Sequence, residues 1–500
     1  MKDTSLPPPP RALISQNPMQ WLRFFGPGAV IASVTIGSGE LIFPSRGGSI
    51  FGYRLLWIFL VVGFLKWVLA YSSMRHMVLS GAHPLERWVS IPGPRGWLHL
   101  FLVVCLLVTI PLTFAFLLGI LGTASSWIFG IGDHYFWASL CVAVVVALLF
   151  VGGYGLLEKA QLVILIAMLG CILVSVFYLR PDWIAIAKGF VPRPLTYADW
   201  LFTTLPEMRD RSVWVEVLVY VSVIGGVATD YFAYTSFLRD KKWGRSHLGV
   251  ASDEQLQLMA NSKDHVMRQW LRAPLVDSMV SFVTVVLLSS AFCILGAVVL
   301  RPQHLVPDGI NLLNYQASFL TALAPWLLPL YQLAVFMAFF GSIYAGPEIN
   351  YRSFYEVFRA FPRLRERVPE SRLKAVIYVW CLGGGLLILW LTRWYPGIEP
   401  LDIYTPVAIF TGFLLTSFYT LANPWMDWRF LPAALRMPRW LACANLFVAM
   451  VFLIAGLKAL WDYGQIGAYL TVAVPLVACV LLAIPLRFLF EKDEPSSSPP

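Results

Sequence analysis

Long apolar runs, separated by short polar stretches, follow one another along nearly the whole chain. A helix that crosses the hydrocarbon core of a bilayer needs about 20 predominantly apolar residues. Runs close to this length, which we call spans 1 to 12, lie at 24–44, 53–79, 98–128, 135–152, 156–180, 214–238, 273–300, 324–346, 374–392, 402–422, 440–460 and 466–489. The pattern predicts an all-α membrane protein of about twelve transmembrane helices, in a single domain over 21–490 with disordered tails at 1–20 and 491–500.

The composition agrees with a membrane protein, since 58% of the 500 residues are hydrophobic, 13% are charged and the mean hydropathy is +0.70. The net charge of +9 does not indicate a nucleic-acid partner, because Lys and Arg gather in particular loops. The largest groups lie at 239–272 and 352–374, which predicts that both loops are cytoplasmic. An even number of spans then places both termini in the cytoplasm. We therefore expect a multi-pass protein of the cell (inner) membrane, with lipid and a small ion or solute as its partners.

Span 1 carries a break. Gly37 and Gly39 flank Ser38 at mid-span, and Glu40 follows directly. Backbone groups freed by a break are tolerated at membrane depth only where they line a cavity or pack on protein. A carboxylate at that depth indicates a functional site. The alternative is that Glu40 lies at the outer interface, because span 1 is predicted to end near Pro44.

Span 6 repeats this arrangement. Gly225 and Gly226 form a glycine pair at mid-span, and Thr229 and Asp230 follow, so a second carboxylate lies at membrane depth. Asp230 also suits the role of a capping residue at the start of a half-helix. The two interpretations are compatible, since the terminus of a half-helix is itself a site for an ion or a substrate.

Two broken spans, the first and the sixth, predict a five-plus-five inverted repeat with discontinuous helices 1 and 6 and a binding site between its halves. Lys66 lies midway along span 2, where an unpaired ammonium is expensive. We expect it to face the bundle and to form a charge pair with Glu40 or with Asp230.

Several motifs resemble the Nramp family, proton-coupled divalent-metal transporters of the leucine-transporter fold. They are GPGAVIASVTIGSGE (26–40), RGGSIFGYRLLW (46–57), GGYGLLEKAQ (152–161), IGGVATDYFAY (224–234), SIYAGPEINYRSF (342–354) and NPWMDWRFLP (423–432). The likeness is strongest in span 1, where the family has its Asp-Pro-Gly-Asn motif. The resemblance implies a secondary transporter whose metal site lies at the breaks of helices 1 and 6.

The chain departs from the family at the site itself. The aspartate that ligates the metal in the family is Gly37 here, and the asparagine is Glu40. The methionine of the family's helix 6 motif becomes Thr229 or Asp230, and its histidine becomes Tyr231. Oxygen ligands without sulfur suit Mg²⁺, Ca²⁺ or Mn²⁺ better than softer metals.

The leading hypothesis is a secondary active transporter that moves a cation, a divalent metal ion in the first place, by alternating access. Glu40 and Asp230 would ligate the ion, with carbonyls near Gly37 and Gly225, and a carboxylate tuned by Lys66 would couple transport to protons. The alternative is a transporter of a small organic solute, such as an amino acid, on the same fold. An enzyme is not expected, because the sequence holds neither a nucleophile–base pair nor a nucleotide-binding motif. No resident cofactor is expected.

Overall fold

The computed structural model describes residues 8–15, 17–21, 24, 26–28, 39–151, 166, 167, 169–261, 266–307, 313–395, 400–463 and 466–485. All regular secondary structure in these ranges is helical. Eight helical stretches among them are long and apolar enough to cross a membrane. The chain is therefore an all-α integral membrane protein, as predicted from its apolar runs.

Six of the predicted spans are continuous α-helices. They are Leu56–Ser80, Trp97–Phe129, His134–Val151, Leu328–Arg359, Arg439–Tyr463 and Ile466–Ala483, which correspond to spans 2, 3, 4, 8, 11 and 12. Spans 7, 9 and 10 each contain one π-helical turn, at Gly296–Leu300, Trp380–Gly384 and Phe410–Leu414, and the α-helix of span 7 is Arg272–Leu295. Span 9 begins at Glu370, and span 10 runs from Pro400 to Phe430. Leu169–Tyr178 belongs to span 5 and is followed, after a bend of 119°, by the short helix Trp183–Gly189.

Span 6 is discontinuous, which confirms the prediction from its glycine pair. Its first half is Val213–Val223 and its second half is Ala228–Asp240. Gly225 and Gly226 between them have φ of 75° and 90°, in the left-handed region that side-chain-bearing residues rarely adopt. The helix therefore stops at this point because the two glycines turn the chain out of the helical path.

Span 1 has a second half that the sequence did not predict. The helix Phe43–Phe51 follows the non-α-helical residues 39–42, and Gly52, with φ of 61°, separates it from span 2. The predicted end of span 1 near Pro44 is therefore wrong, because Phe43–Phe51 looked polar in sequence while all of its residues are buried. Gly37 and Ser38 lie outside the described residues, as does most of the first half of span 1.

The helix of span 8 continues past the apolar run as far as Arg359. The added turns are amphipathic. Ile349 and Phe354 are buried, and Glu348 pairs with Arg352 one turn later at 3.0 Å. Hydropathy alone does not detect this extension, since half of its surface is polar.

The broken spans lie at the centre of the bundle. In the most apolar windows of spans 6 and 10, 72% of the residues are buried, whereas the figure is 28% in span 9 and 39% in span 11. Spans 9 and 11 therefore form part of the lipid-facing surface, and the break of span 6 lies where protein surrounds it.

Candidate functional site

Glu40 joins the two broken spans. It lies between the halves of span 1, is fully buried, and accepts a hydrogen bond at Oε1 from the Gly225 amide, 2.7 Å away. Its other oxygen, Oε2, has no hydrogen-bond partner among the described residues. Gly39 packs so closely that a Cβ there would be 2.2 Å from Cγ1 of Val223. Glu40 is thus not at an outer interface but in the interior, where an unpaired carboxylate oxygen is costly and available to a ligand.

Lys66 binds the break of span 6 rather than a carboxylate. Its Nζ donates to the carbonyl oxygens of Ser222, Ile224 and Gly226, at 2.9, 2.5 and 2.7 Å. Lys66 is fully buried, and its contacts with the described residues do not include a salt bridge to Glu40 or Asp230, although both carboxylates attract it electrostatically. The expected charge pair is therefore replaced by three hydrogen bonds to the end of a half-helix, where released carbonyls favour a cation.

Asp230 caps the second half of span 6. Its Oδ2 accepts a hydrogen bond of 2.8 Å from the Val227 amide, and its own amide donates to the Val227 carbonyl. The neighbouring Thr229 is held through its carbonyl, which accepts a hydrogen bond from the Ser353 hydroxyl of span 8. The capping role expected for Asp230 is thus present.

A cavity of about 70 Å³ adjoins Asp230. Polar groups from spans 3, 8 and 10 line it together with Asp230, namely Thr109, Thr113, Asn350 and Thr411. Sequence reasoning missed this group. The available signal was the spacing of Thr109 and Thr113, which puts two hydroxyls on one face of an apolar helix. Asn350 reaches the cavity from the part of the span 8 helix that continues beyond the apolar run.

The ligand chemistry available at these positions is oxygen alone. Within the described ranges, no three side chains of His, Cys, Asp or Glu lie close enough together to hold a metal ion. An ion at the breaks would therefore rely on the two carboxylates of Glu40 and Asp230 and on neutral oxygens such as the threonine hydroxyls.

A buried ion cluster holds the second half of span 1 against the first half of span 6. Arg46 Nε lies 2.7 Å from Glu216 Oε1, and Arg211 Nε lies 2.8 Å from Glu216 Oε2. The Tyr220 hydroxyl also donates to Glu216. Because one carboxylate serves two cations, these two half-helices are fixed to each other on one side of the breaks.

A second ion cluster lies on the other side of the breaks. Arg239 of span 6 contacts Glu356 of span 8, and its other nitrogen lies 3.0 Å from Glu86 in the short helix Pro84–Trp88. Burial lowers the pKa of the adjacent His83 to about 4. His83 is therefore neutral at physiological pH, and it donates from Nε2 to the Phe232 carbonyl.

The start of span 1 is held by a third buried carboxylate. Asp277 of span 7 accepts hydrogen bonds from the amides of Gly26 and Gly28, at 2.8 and 2.9 Å. The Tyr234 hydroxyl, on the second half of span 6, donates to the same carboxylate at 2.7 Å. Asp277 thus ties the first turn of span 1 to spans 6 and 7.

Comparisons with known proteins agree with this arrangement. A family model described as "Natural resistance-associated macrophage protein-like" matches residues 28–462. The divalent metal cation transporter MntH of Xylella fastidiosa (strain 9a5c) is 22% identical over 467 residues, which cover 88% of this chain and 85% of that protein. The MntH of Caldanaerobacter subterraneus subsp. tengcongensis is 21% identical over 296 residues, 58% of this chain and 62% of that one.

Solved structures share the fold. The manganese transporter of Eremococcus coleocola, in complex with an aromatic bis-isothiourea substituted compound, has a TM-score of 0.64 at 16% identity, with 94% of each chain covered. Mhp1, a nucleobase-cation-symport-1 family transporter, has a TM-score of 0.51 at 16% identity, with 93% of this chain and 92% of that one covered. At these identities the likeness establishes the fold alone.

Proposed function

Because the chain belongs to the Nramp family, we propose that it is a secondary transporter that carries a divalent metal ion across the membrane by alternating access. The relatives named above are described as divalent metal cation and manganese transporters, which favours a metal ion over an organic solute as the substrate. Broken helices that meet inside the bundle are typical of a carrier.

The observation that carries the proposal is the unpaired Oε2 of Glu40. A fully buried carboxylate with one free oxygen, at the contact between two broken helices, is a ready ligand for a cation. Asp230 lines the adjoining cavity and supplies the second carboxylate. We assign Glu40 and Asp230 as the anionic ligands, with Gly39, Gly225, Gly226 and Thr229 forming the backbone around them. Gly37 and Ser38 complete the proposed site from the sequence.

The ligand set also predicts which metals are carried. Carboxylate and hydroxyl oxygens are hard ligands, which Mg²⁺, Mn²⁺ and Ca²⁺ prefer, whereas softer metals gain most from a sulfur ligand. No sulfur ligand is among the residues assigned to the site. We expect uptake of Mn²⁺ or Mg²⁺ to exceed uptake of Cd²⁺.

The test is uptake of single metals into proteoliposomes that contain the purified protein, with protein-free liposomes as the control. Concentration-dependent, saturable uptake of Mn²⁺ or Mg²⁺ supports the proposal. Cd²⁺ uptake with a lower KM than Mn²⁺ would contradict the oxygen-only site. A protein that takes up no divalent metal but is stabilised by an amino acid would favour the organic-solute alternative.

The proposed orientation places both termini and the 239–272 loop in the cytoplasm, from the distribution of Lys and Arg. We also propose that protons drive the transport by moving in the same direction as the metal ion, since the carboxylates of Glu40 and Asp230 provide groups that can carry a proton. Acidification of the vesicle lumen during metal uptake, followed with an enclosed pH dye, tests this coupling. A lumen that keeps its pH while metal accumulates would exclude it.

A further inference from the structure

The break of span 6 exposes carbonyl oxygens that lack a partner within their helix. A helix that ends inside a bundle leaves its last carbonyls unpaired, and these carry the negative end of the helix dipole. Two such carbonyls, on Ser222 and Ile224, converge on one point with the carbonyl of Gly226, which lies just beyond the helix end. Such a group of carbonyls in a buried position is the coordination shell of a small cation.

Lys66 places its ammonium at that point. An ammonium has three N–H donors, and all of them are used, one for each of the three carbonyls. The side chain is fully buried and is held there by its own helix in span 2. The cation in this carbonyl shell is therefore a side chain of the protein, and it cannot dissociate as a free ion would.

The remaining carbonyls of the break are also occupied. The Gly226 amide donates to Val223, the Tyr231 hydroxyl donates to Gly225 at 2.7 Å, and the Asp230 amide donates to Val227. Every carbonyl from 222 to 227 thus accepts a hydrogen bond from within the protein. In the described part of the breaks, Oε2 of Glu40 is instead an oxygen without a partner.

We propose that Lys66 is a tethered monovalent cation that completes the break of span 6 and directs the transported ion away from the helix 6 carbonyls, onto side-chain oxygens. The second half of this statement, the direction of the transported ion, rests on the function proposed above. The first half does not, because it concerns only what fills the carbonyl shell.

A clear consequence follows for the variant Lys66→Met, which keeps most of the side-chain length but lacks the ammonium. Its carbonyl shell is unfilled, so a free monovalent cation should bind there. The chemical class is a small cation that resembles the lost group, with NH₄⁺ as the nearest match and K⁺ and Na⁺ as alternatives. The wild-type protein, whose shell is filled, should show no such site.

Thermal unfolding of the purified protein in detergent tests the proposal in choline, Na⁺, K⁺ and NH₄⁺ chlorides at equal ionic strength. The wild-type midpoint should be the same in all four salts. The Lys66→Met midpoint should be lowest in choline and rise by about 2 °C or more, saturably, in NH₄⁺ or K⁺. Lys66→Arg, which keeps a positive charge, should show a smaller dependence on the salt.

Tyr231→Phe is the matched control, because it frees one carbonyl of the same break without removing a charge, and its midpoint should not depend on the cation. A Lys66→Met protein with equal midpoints in all four salts would overturn the proposal. A Lys66→Met protein that does not fold in any of the four salts would also overturn it, because the proposal requires that a free cation can replace the missing ammonium. This experiment measures thermal unfolding and not metal uptake. Its outcome therefore remains interpretable even if the proposed transport function is wrong.

Discussion

Replacing Glu40 by glutamine tests the proposed site with the smallest change in shape. The carboxylate is fully buried, accepts one hydrogen bond from the Gly225 amide at 2.7 Å, and leaves Oε2 unpaired. In Glu40→Gln the amide oxygen takes over the bond from Gly225, and the amide nitrogen occupies the place of Oε2. The variant therefore keeps the contact between the two breaks and removes only the charge and the free acceptor.

Two opposing effects on folding should nearly cancel. A charged hydrogen bond becomes a neutral one, a loss of about 1 kcal/mol, and the new amide nitrogen finds no acceptor, at a cost of about 1–3 kcal/mol. Against these losses, the variant no longer buries a carboxylate whose second oxygen is unpaired, and that burial costs several kcal/mol. We expect expression and the unfolding midpoint of Glu40→Gln to stay close to the wild-type values.

Transport should respond very differently. Substituting a residue that only supports a metal ligand reduces metal affinity about 10–100-fold. Losing an anionic ligand itself should reduce the affinity by more than the upper end of that range. We therefore expect metal uptake to fall at least about a hundredfold, or about 2.8 kcal/mol. The assay is initial-rate Mn²⁺ uptake into proteoliposomes at matched protein content, with size-exclusion profiles to establish that the variant is folded.

Glu348→Gln is the matched control, because it makes the same chemical change at a partly exposed carboxylate that pairs with Arg352 and Lys374 near the end of span 8. Its uptake should stay near the wild-type rate. The reasoning would be refuted by a folded Glu40→Gln protein whose uptake lies within about twofold of the wild type.

Three further predictions address the surroundings of the site. Gly39→Ala should lower both the unfolding midpoint and uptake, since its Cβ would meet Cγ1 of Val223 at 2.2 Å, whereas Gly170→Ala, with no atom within 4 Å, should be neutral in the same measurements. Asp277→Asn should speed hydrogen–deuterium exchange in the first turn of span 1, because two amides lose their charged acceptor, and unchanged exchange would argue against that anchor. Single cysteines introduced in the 239–272 loop should resist an impermeant thiol reagent added to intact cells, and rapid labelling would reverse the proposed orientation.

The sequence predicted the spans and the break of span 6 because both depend on local properties. Apolar length defines a span, and the pair Gly225 and Gly226 permits the positive φ angles at which span 6 stops. The same local reasoning misjudged span 1, whose end was predicted near Pro44 although a helix follows at Phe43–Phe51. Arg46 is in fact buried by its pairing with Glu216, a residue 170 positions away, and such a distant partner cannot be read from hydropathy.

Side-chain partners at the site were harder to predict than the helices. A buried lysine was expected to find a carboxylate, because opposite charges are its usual partners at membrane depth. Lys66 binds carbonyls instead, since the break supplies three acceptors at one point and thereby satisfies all its donors. The position of those carbonyls depends on the backbone angles of Gly225 and Gly226, which residue types alone do not specify.

Glu40 and Lys66 act on the same few residues from opposite sides. The carboxylate accepts from the Gly225 amide, and the ammonium donates to the carbonyls of Ile224 and Gly226, on either side of that glycine. The peptide group that joins Ile224 to Gly225 is thus held at its carbonyl by Lys66 of span 2 and at its amide by Glu40 of span 1. A cation that binds Oε2 of Glu40 draws the carboxylate's negative charge toward itself and weakens its hold on the Gly225 amide. In the proposed site, ion binding at Glu40 would therefore be coupled to the geometry of span 6 through one peptide group, which would provide the differential interaction that a carrier needs to change conformation on binding its substrate.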